Sequence, residues 1–299
     1  MRPDLIDPHI VRNSETADLR DSCKSHRERV MQLIESTVSD LSAESNVDQL
    51  SSVVLLGAGN CLDVDLIRLA RLFQHIHLVD LDVAALSDAV ADANSTDNRL
   101  QIHAPQDIAE PLLAMMPDDL STDDTTRLAN SLKLLSSENG VADVPESDIV
   151  VSLCLFSHLV VTLSVLLTDD NPVYANALKA IRLGHIRRML SMLRPGGVAI
   201  FITEIVSSET APKLIDVSDS ELPELIRELV NDNNFFSGTN PSPLLAELNL
   251  LSRLPGGPET VDTIDPWKWQ MGDRTYAVYA MRIQKKIPLK EEAAPAADD

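Results

Sequence analysis

The sequence predicts an α/β protein: a doubly wound, mostly parallel sheet with an antiparallel C-terminal strand, plus an N-terminal helical cap. Three observations predict it. The unbroken apolar run Ser52–Leu56 breaks at Gly57 and Gly59 and resumes with helical spacing at Leu62, Leu66, Leu69 and Leu72. Apolar runs alternate with helical patterns as far as Glu204. Arg274–Ile283 then alternates apolar and polar residues, as a half-buried strand does.

Composition bounds the class. The chain has 299 residues, 44% of them apolar, and a mean hydropathy near zero, so a large core is available. Its net charge of −21 opposes the phosphate backbone of nucleic acids and anionic lipid surfaces alike. General nucleic-acid binding and membrane adhesion are therefore not expected. Cys23, Cys61 and Cys154 are far apart and odd in number, which suits a reduced, cytoplasmic chain. The first residues lack the apolar core of a signal peptide. The run 149–167 approaches the roughly 20 apolar residues of a membrane span. Ser152, Ser157, His158, Thr162 and Ser164 interrupt it, so a buried strand followed by a buried helix is the better reading.

The elements follow in order. Residues 1–14 contain two prolines and read as irregular; Glu15–Ser45 is helical, with Val30, Leu33, Ile34, Val38 and Leu41 on one face. The helical cap is expected over residues 1–48. Strands are expected at 53–57, 76–80, 99–103, 148–154 and 198–204, and helices at 62–73, 83–93, 127–135, 157–167 and 173–193. Arg194-Pro-Gly-Gly197 reads as the stop of that last helix. The Rossmann-like domain is expected over 49–286, with an insertion at about 206–272 that holds helices near 221–230 and 242–250. Residues 287–299 are low in complexity and read as a disordered tail.

Chemistry is expected at the carboxyl ends of the strands. Glycines at the first turn let a ligand approach the backbone, because no Cβ stands in the way. Asp80 lies 80 − 57 = 23 residues beyond the first glycine, close to the roughly 20 at which an acidic residue meets a ribose. Leu56-Gly-Ala-Gly59, Asp80, Asp107 after strand three, Asp148 opening strand four, the turn at 193–197 and the late Tyr/Val-rich strand together resemble the class I S-adenosylmethionine-dependent methyltransferases. The resemblance covers about residues 50–205 and 274–285. Two positions depart from it: Leu55 where an acidic residue is usual, and Cys61 where a third glycine is.

The resemblance implies S-adenosyl-L-methionine as cofactor. Gly57, Ala58, Gly59 and Asn60 would meet its methionyl part, Asp80 and Leu81 its ribose, and Asp107 and Ile108 its adenine. Leu153 and Cys154 would sit beside the methyl group. Charge agrees: a pyrophosphate about 6 Å from Asp63 would be destabilised by roughly 3 kcal/mol at an effective dielectric of 20, whereas a sulfonium would not. The implied activity is methyl transfer to an unidentified small-molecule or protein acceptor. Two alternatives stand beside it, a non-catalytic cofactor-binding or scaffold protein and a nicotinamide-dependent oxidoreductase.

Methyl transfer from sulfur needs no acid, and a base only where the acceptor must lose a proton. The candidates are His158, whose plainer reading is a packed or partly exposed first-turn histidine, and Glu204, which also reads as a solvated carboxylate at the end of a strand. Asp170-Asn-Pro-Val-Tyr174 resembles the Asn-Pro-Pro-Tyr motif of amino-group methyltransferases, but a helix-length run separates it from strand four, so a helix start is preferred. His75, His77 and His103 could meet across two strands; without a fourth ligand no metal site is expected. Phe235-Phe236 and Trp267-Lys-Trp269 read either as a pocket wall or as anchors of the insertion.

Overall fold

The computed structural model describes residues 3–45, 49–93, 98–108, 125–137, 141 and 143–288. A seven-stranded sheet has the order β3-β2-β1-β4-β5-β7-β6. Its strands are β1 (Leu50–Leu56), β2 (Phe73–Val79), β3 (Leu100–His103), β4 (Ser147–Leu153), β5 (Leu193–Ser207), β6 (Pro258–Met271) and β7 (Arg274–Lys285). Strands β1 to β5 are parallel; β7 is antiparallel to both β5 and β6. Its helices, in chain order, are α1 (Pro3–Thr16), α2 (Lys24–Ser45), α3 (Leu66–Leu72), α4 (Val83–Asp92), α5 (Thr125–Leu135), α6 (Leu155–Leu166), α7 (Tyr174–Ser191), α8 (Leu222–Asn231) and α9 (Pro241–Leu251).

The pleat sends alternate residues into two cores. From β1, Val54 and Leu56 face a core filled by α6 to α9, while Val53 and Leu55 face one filled by α2, α3 and α4. Every residue of β4 is buried, as expected of a central parallel strand covered on both faces. Each fully buried Val, Leu or Ile stabilises the fold by about 1.5–3 kcal/mol relative to exposure. Helix α2 buries Val30, Met31, Ile34, Val38 and Leu41 in the second core with Val198, Ile200 and Trp267. It is one of the layers.

Several sequence expectations change. Residues 3–16 are helical where irregular chain was expected; Pro3 occupies the first helical position, where its missing N–H costs nothing, and tertiary contacts described below hold the rest. The first crossover helix starts at Leu66 instead of Leu62. Asp65 caps it, its Oδ1 accepting from the N–H groups of Ile67 and Arg68, both at 3.0 Å. The turn at 194–197 does not stop a helix. Helix α7 ends at Ser191, Leu193 already pairs with Ser147, and Val198 pairs with Ile149, so the turn bulges from the edge of β5.

The span 206–272 supplies a full sheet strand, β6. Its outer face is mostly exposed and Pro266 falls in a register shift between Ile264 and Trp267, so no apolar alternation marks it. The run 149–167 divides into β4 and α6, and among the described residues no helix is long and apolar enough to cross a membrane. Helix α5 lies at the expected place. The tail beyond 288 falls outside the described residues.

The segment after β5 is held by a buried ion pair. Arg182 on α7 donates Nε to Glu247 Oε2 and Nη2 to Glu247 Oε1, both at 2.6 Å, and Nη1 to the Gly238 carbonyl at 3.3 Å. Removing one partner leaves the other charge buried without compensation, at a cost of about 3–5 kcal/mol. Glu247→Ala is therefore expected to lower the urea unfolding free energy by that amount, and an unchanged midpoint would show the pair contributes nothing.

Candidate functional site

The order of the sheet reverses at β1, whose neighbours β2 and β4 lead away in opposite directions, and a crevice opens beyond the carboxyl ends of strands at such a point. The glycine turn lies there. Gly57 has φ +74°, and its N–H donates to the Val79 carbonyl at 3.0 Å. A Cβ on Gly57 would stand 2.9 Å from Leu155 Cβ, so glycine is what lets α6 start so close to the turn. Cys61 has φ +52°, a left-handed conformation that costs a residue with a Cβ about 1–2 kcal/mol. The third position of the turn has thus kept a glycine-type backbone without the glycine. Leu55 is fully buried, so nothing acidic stands at that departure either.

Asp80 follows β2 and holds the turn. Its Oδ2 accepts from the Gly59 N–H at 2.8 Å and its Oδ1 from the Asp82 N–H at 2.9 Å. Burial raises its pKa, and these two backbone donors oppose the rise. Asp82 caps α4 through Oδ1 to the Ala85 N–H at 3.0 Å, and its Oδ2 accepts from Asn13 Nδ2 at 3.2 Å. Helix α1 is thereby drawn over the turn. Asn13 Oδ1 lies 3.1 Å from where a Cβ of Gly59 would be, and Asn60 Nδ2 donates to the Asn13 carbonyl at 2.6 Å.

The cleft has two lobes that share Asn13, Gly57, Gly59, Leu153 and His158. The first, a cavity of about 100 Å³, lies between Val79, Asp80, Leu81, Gln106, Asp107, Ile108, Leu155 and Thr162. Arg188 donates Nη1 to the Ile108 carbonyl at 3.0 Å from behind, and the charge of Asp107 supports its guanidinium against burial. The second, a cavity of about 240 Å³, is lined by Arg12, Glu15, Ala58, Asn60, Asp63, Cys154, Glu204, Trp269, Met271, Arg274 and Tyr276. The structure thus brings Gly57, Ala58, Gly59, Asn60, Asp80, Leu81, Asp107, Ile108, Leu153, Cys154, His158 and Glu204 to one continuous cleft.

His158, in the first turn of α6, accepts from Arg12: Nη1 and Nε2 are 3.2 Å apart, and arginine has no acceptor to offer. Its ring stacks on His9 at 5.2 Å. Burial, then Arg12, then His9 push its pKa down to about 3. With Nε2 so engaged, the ring is a poor proton acceptor near neutrality. Cys154 precedes it with φ +49°; burial, then Glu204 and Asp63, raise its thiol well above the usual range, so it stays protonated.

Glu204 stands on β5 where the register against β7 shifts. It is only 6% exposed, and its Oε2 has no hydrogen-bond partner. Burial raises its pKa, against the Ser157 hydroxyl, and the nearby charge of Asp63 adds to the rise. Of the two base candidates this is the better placed.

Other groups at the site carried no local signal. His9, Arg12 and Asn13 reach it only because α1 folds over the strand ends. Trp267 donates Nε1 to His26 Nδ1 at 3.0 Å, and His26 Nε2 approaches Asp63 Oδ1 at 3.3 Å. Trp269 stacks on His26 at 4.4 Å, donates to Cys23 Sγ and also lines the cleft, so it is both anchor and wall. Phe235 packs against the first core and Phe236 lies 6.4 Å from the Tyr276 ring. Asn171 Oδ1 accepts from the Val173 N–H in the turn before α7, and Tyr174 is buried against Ser164, a structural helix start. His77 Nδ1 and His103 Nε2 are 3.0 Å apart, and burial lowers the pKa of His77 to about 4. Among the described residues no group of three metal-ligating side chains converges.

No protein-family model matches the chain, and no curated protein matches it in sequence. Solved structures with a similar arrangement are distant. A proposed S-adenosyl-L-methionine-dependent methyltransferase from Methanococcus maripaludis is 17% identical, with 93% of this chain and 95% of that one covered and a TM-score of 0.40. The N-methyltransferase NodS from Bradyrhizobium japonicum is 12% identical over 87% and 96%, with a TM-score of 0.39. Magnesium protoporphyrin IX methyltransferase from Synechocystis, solved with bound SAH, is 14% identical over 90% and 85%, also with a TM-score of 0.39. Likenesses this remote leave cofactor and acceptor open. By its own strand order, the chain is a doubly wound α/β protein with one antiparallel strand and a cleft at the β1/β4 switch point.

Proposed function

We propose that the chain is an S-adenosylmethionine-dependent methyltransferase acting on a small-molecule or protein acceptor. The observation that carries this reading is the charge of the cleft at the glycine turn. Asp80, Asp63 and Glu204 line it, and the first free N–H groups of α3, the usual seat of a diphosphate, are already capped by Asp65. Such a site suits a cationic nucleoside and disfavours a dinucleotide.

The residues present fit that cofactor. Asp80 would accept from the ribose hydroxyls beside Leu81, and Asp107 and Ile108 would flank the adenine. Gly57, Ala58, Gly59 and Asn60 would meet the methionyl part once Asn13 moves off the turn, with Leu153 and Cys154 as the wall at the methyl end. When bound, S-adenosylmethionine supplies a methyl group on positively charged sulfur, with a neutral thioether as leaving group. Glu204, buried and with one oxygen free, takes the proton from an acceptor that must lose one. His158, held neutral by burial and then by Arg12, shapes the wall between the lobes.

Calorimetry is expected to show one molecule of S-adenosylhomocysteine bound per chain and no heat with NAD. Asp80→Asn, checked for an unchanged melting temperature, is expected to weaken that binding at least tenfold, about 1.4 kcal/mol. Wild-type affinity in that variant would remove Asp80 from the ribose site. For His158, the folded pKa of about 3 lies below the ordinary value of 6.5, so its neutral form contributes stability above pH 6.5 that is lost as pH falls toward 3. An NMR titration is expected to find its ring neutral down to about pH 4 and, in Arg12→Ala, protonated at higher pH. A wild-type ring that protonates near 6.5 contradicts the hydrogen bond from Arg12.

A further inference from the structure

We propose that the second lobe of the cleft binds an amine, and that the methyl acceptor is a nitrogen carried by a small molecule with a flat apolar group. This rests on the methyltransferase reading and narrows it to one acceptor chemistry. The starting point is Glu204: nine-tenths buried, facing the lobe, and with Oε2 unpartnered. A buried acceptor left without a donor is destabilising, and a ligand N–H or O–H would relieve it.

Charge selects between those two donors. Asp63 lines the same lobe and lies close enough to disfavour the ionised form of Glu204. His26, whose Nδ1 accepts from Trp267, stands with Nε2 3.3 Å from Asp63 Oδ1 but makes no hydrogen bond to it, so that buried oxygen too is left without a donor. The two cations of the lobe are already engaged. Arg274 pairs with Glu209 and donates Nη1 to Tyr276 Oη at 2.8 Å, and Arg12 contacts His158. Two carboxylates, each with a buried oxygen that lacks a hydrogen-bond donor and with no arginine or lysine paired to either among the described residues, make a subsite for positive charge. The Trp269 and Tyr276 rings, 5.4 Å apart, supply a flat wall, and the guanidinium of Arg274 already rests over the Tyr276 ring at 5.4 Å.

The step balances within the lobe. The amine enters as an ammonium and passes one proton to Glu204, which frees the nitrogen lone pair. The nitrogen–methyl bond forms as the sulfur–methyl bond breaks, and the positive charge moves from sulfur to nitrogen. The methylated ammonium then leaves or loses a proton to solvent. No oxidant, reductant or metal enters the balance.

The test uses the full chain saturated with S-adenosylhomocysteine, titrated at pH 8 with benzylamine and phenethylamine against benzyl alcohol and phenethyl alcohol, and read by ligand-observed NMR. Each amine is expected to bind at least tenfold more tightly than its alcohol. Glu204→Gln should erase that preference while S-adenosylhomocysteine affinity stays within twofold, and Asp63→Asn should reduce it about threefold to tenfold. Normal S-adenosylhomocysteine binding with no amine binding, with equal affinity for amine and alcohol, or with a preference that survives in Glu204→Gln overturns the amine assignment and leaves the methyltransferase reading standing. Failure of S-adenosylhomocysteine to bind the wild-type chain overturns both.

Discussion

Two neighbouring carboxylates organise the mouth of this protein. Asp80 accepts the N–H groups of Gly59 and Asp82, and Asp82 in turn caps α4 and accepts from Asn13. Three parts of the chain that are remote in sequence are thereby held to one point: the turn after β1, the connection from β2 to α4 and the N-terminal helix. Burial alone would drive Asp80 toward its neutral form. The backbone N–H groups that point at it offset this, because hydrogen bonds to a carboxylate favour its charged form.

The second lobe depends on a different set of contacts. Helix α2 lies on the sheet and carries His26 into the aromatic group formed by Trp267 and Trp269 on β6. Through His26 the position of Asp63 is tied to the far edge of the sheet. The charged character of the cleft is thus a product of helices and strands from both ends of the chain. Fold and site cannot be separated here, since the strand that looks like an accessory of the sheet also carries the wall of the cleft.

Much of this was legible in the amino-acid order. The change from continuous apolar residues to a helical period at Gly57 marks β1 and its turn, and the spacing to Asp80 marks the end of β2. Such signals are local: burial on both faces demands an unbroken apolar strand, and a turn with positive φ favours glycine. Strand β6 was missed because an edge strand with one wet face and a proline at its bulge has no such signal. One clue was present. Gly272-Asp273 between two strand-like runs is a two-residue hairpin loop, and Gly272 has φ +61°.

The sequence by itself determined the order of β1 to β5 and of the helices between them, the late strand β7, the apolar faces and the acidic residues at the strand ends, because these follow from periodicity and turn chemistry within a few residues. Only the tertiary structure decided that α1 folds over the glycine turn, that Arg12 keeps His158 from acting as a free base, and that Glu204 faces open space without a partner. Each of those depends on contacts between residues 47 to 146 positions apart or on a side chain left over after packing, and no local pattern encodes either.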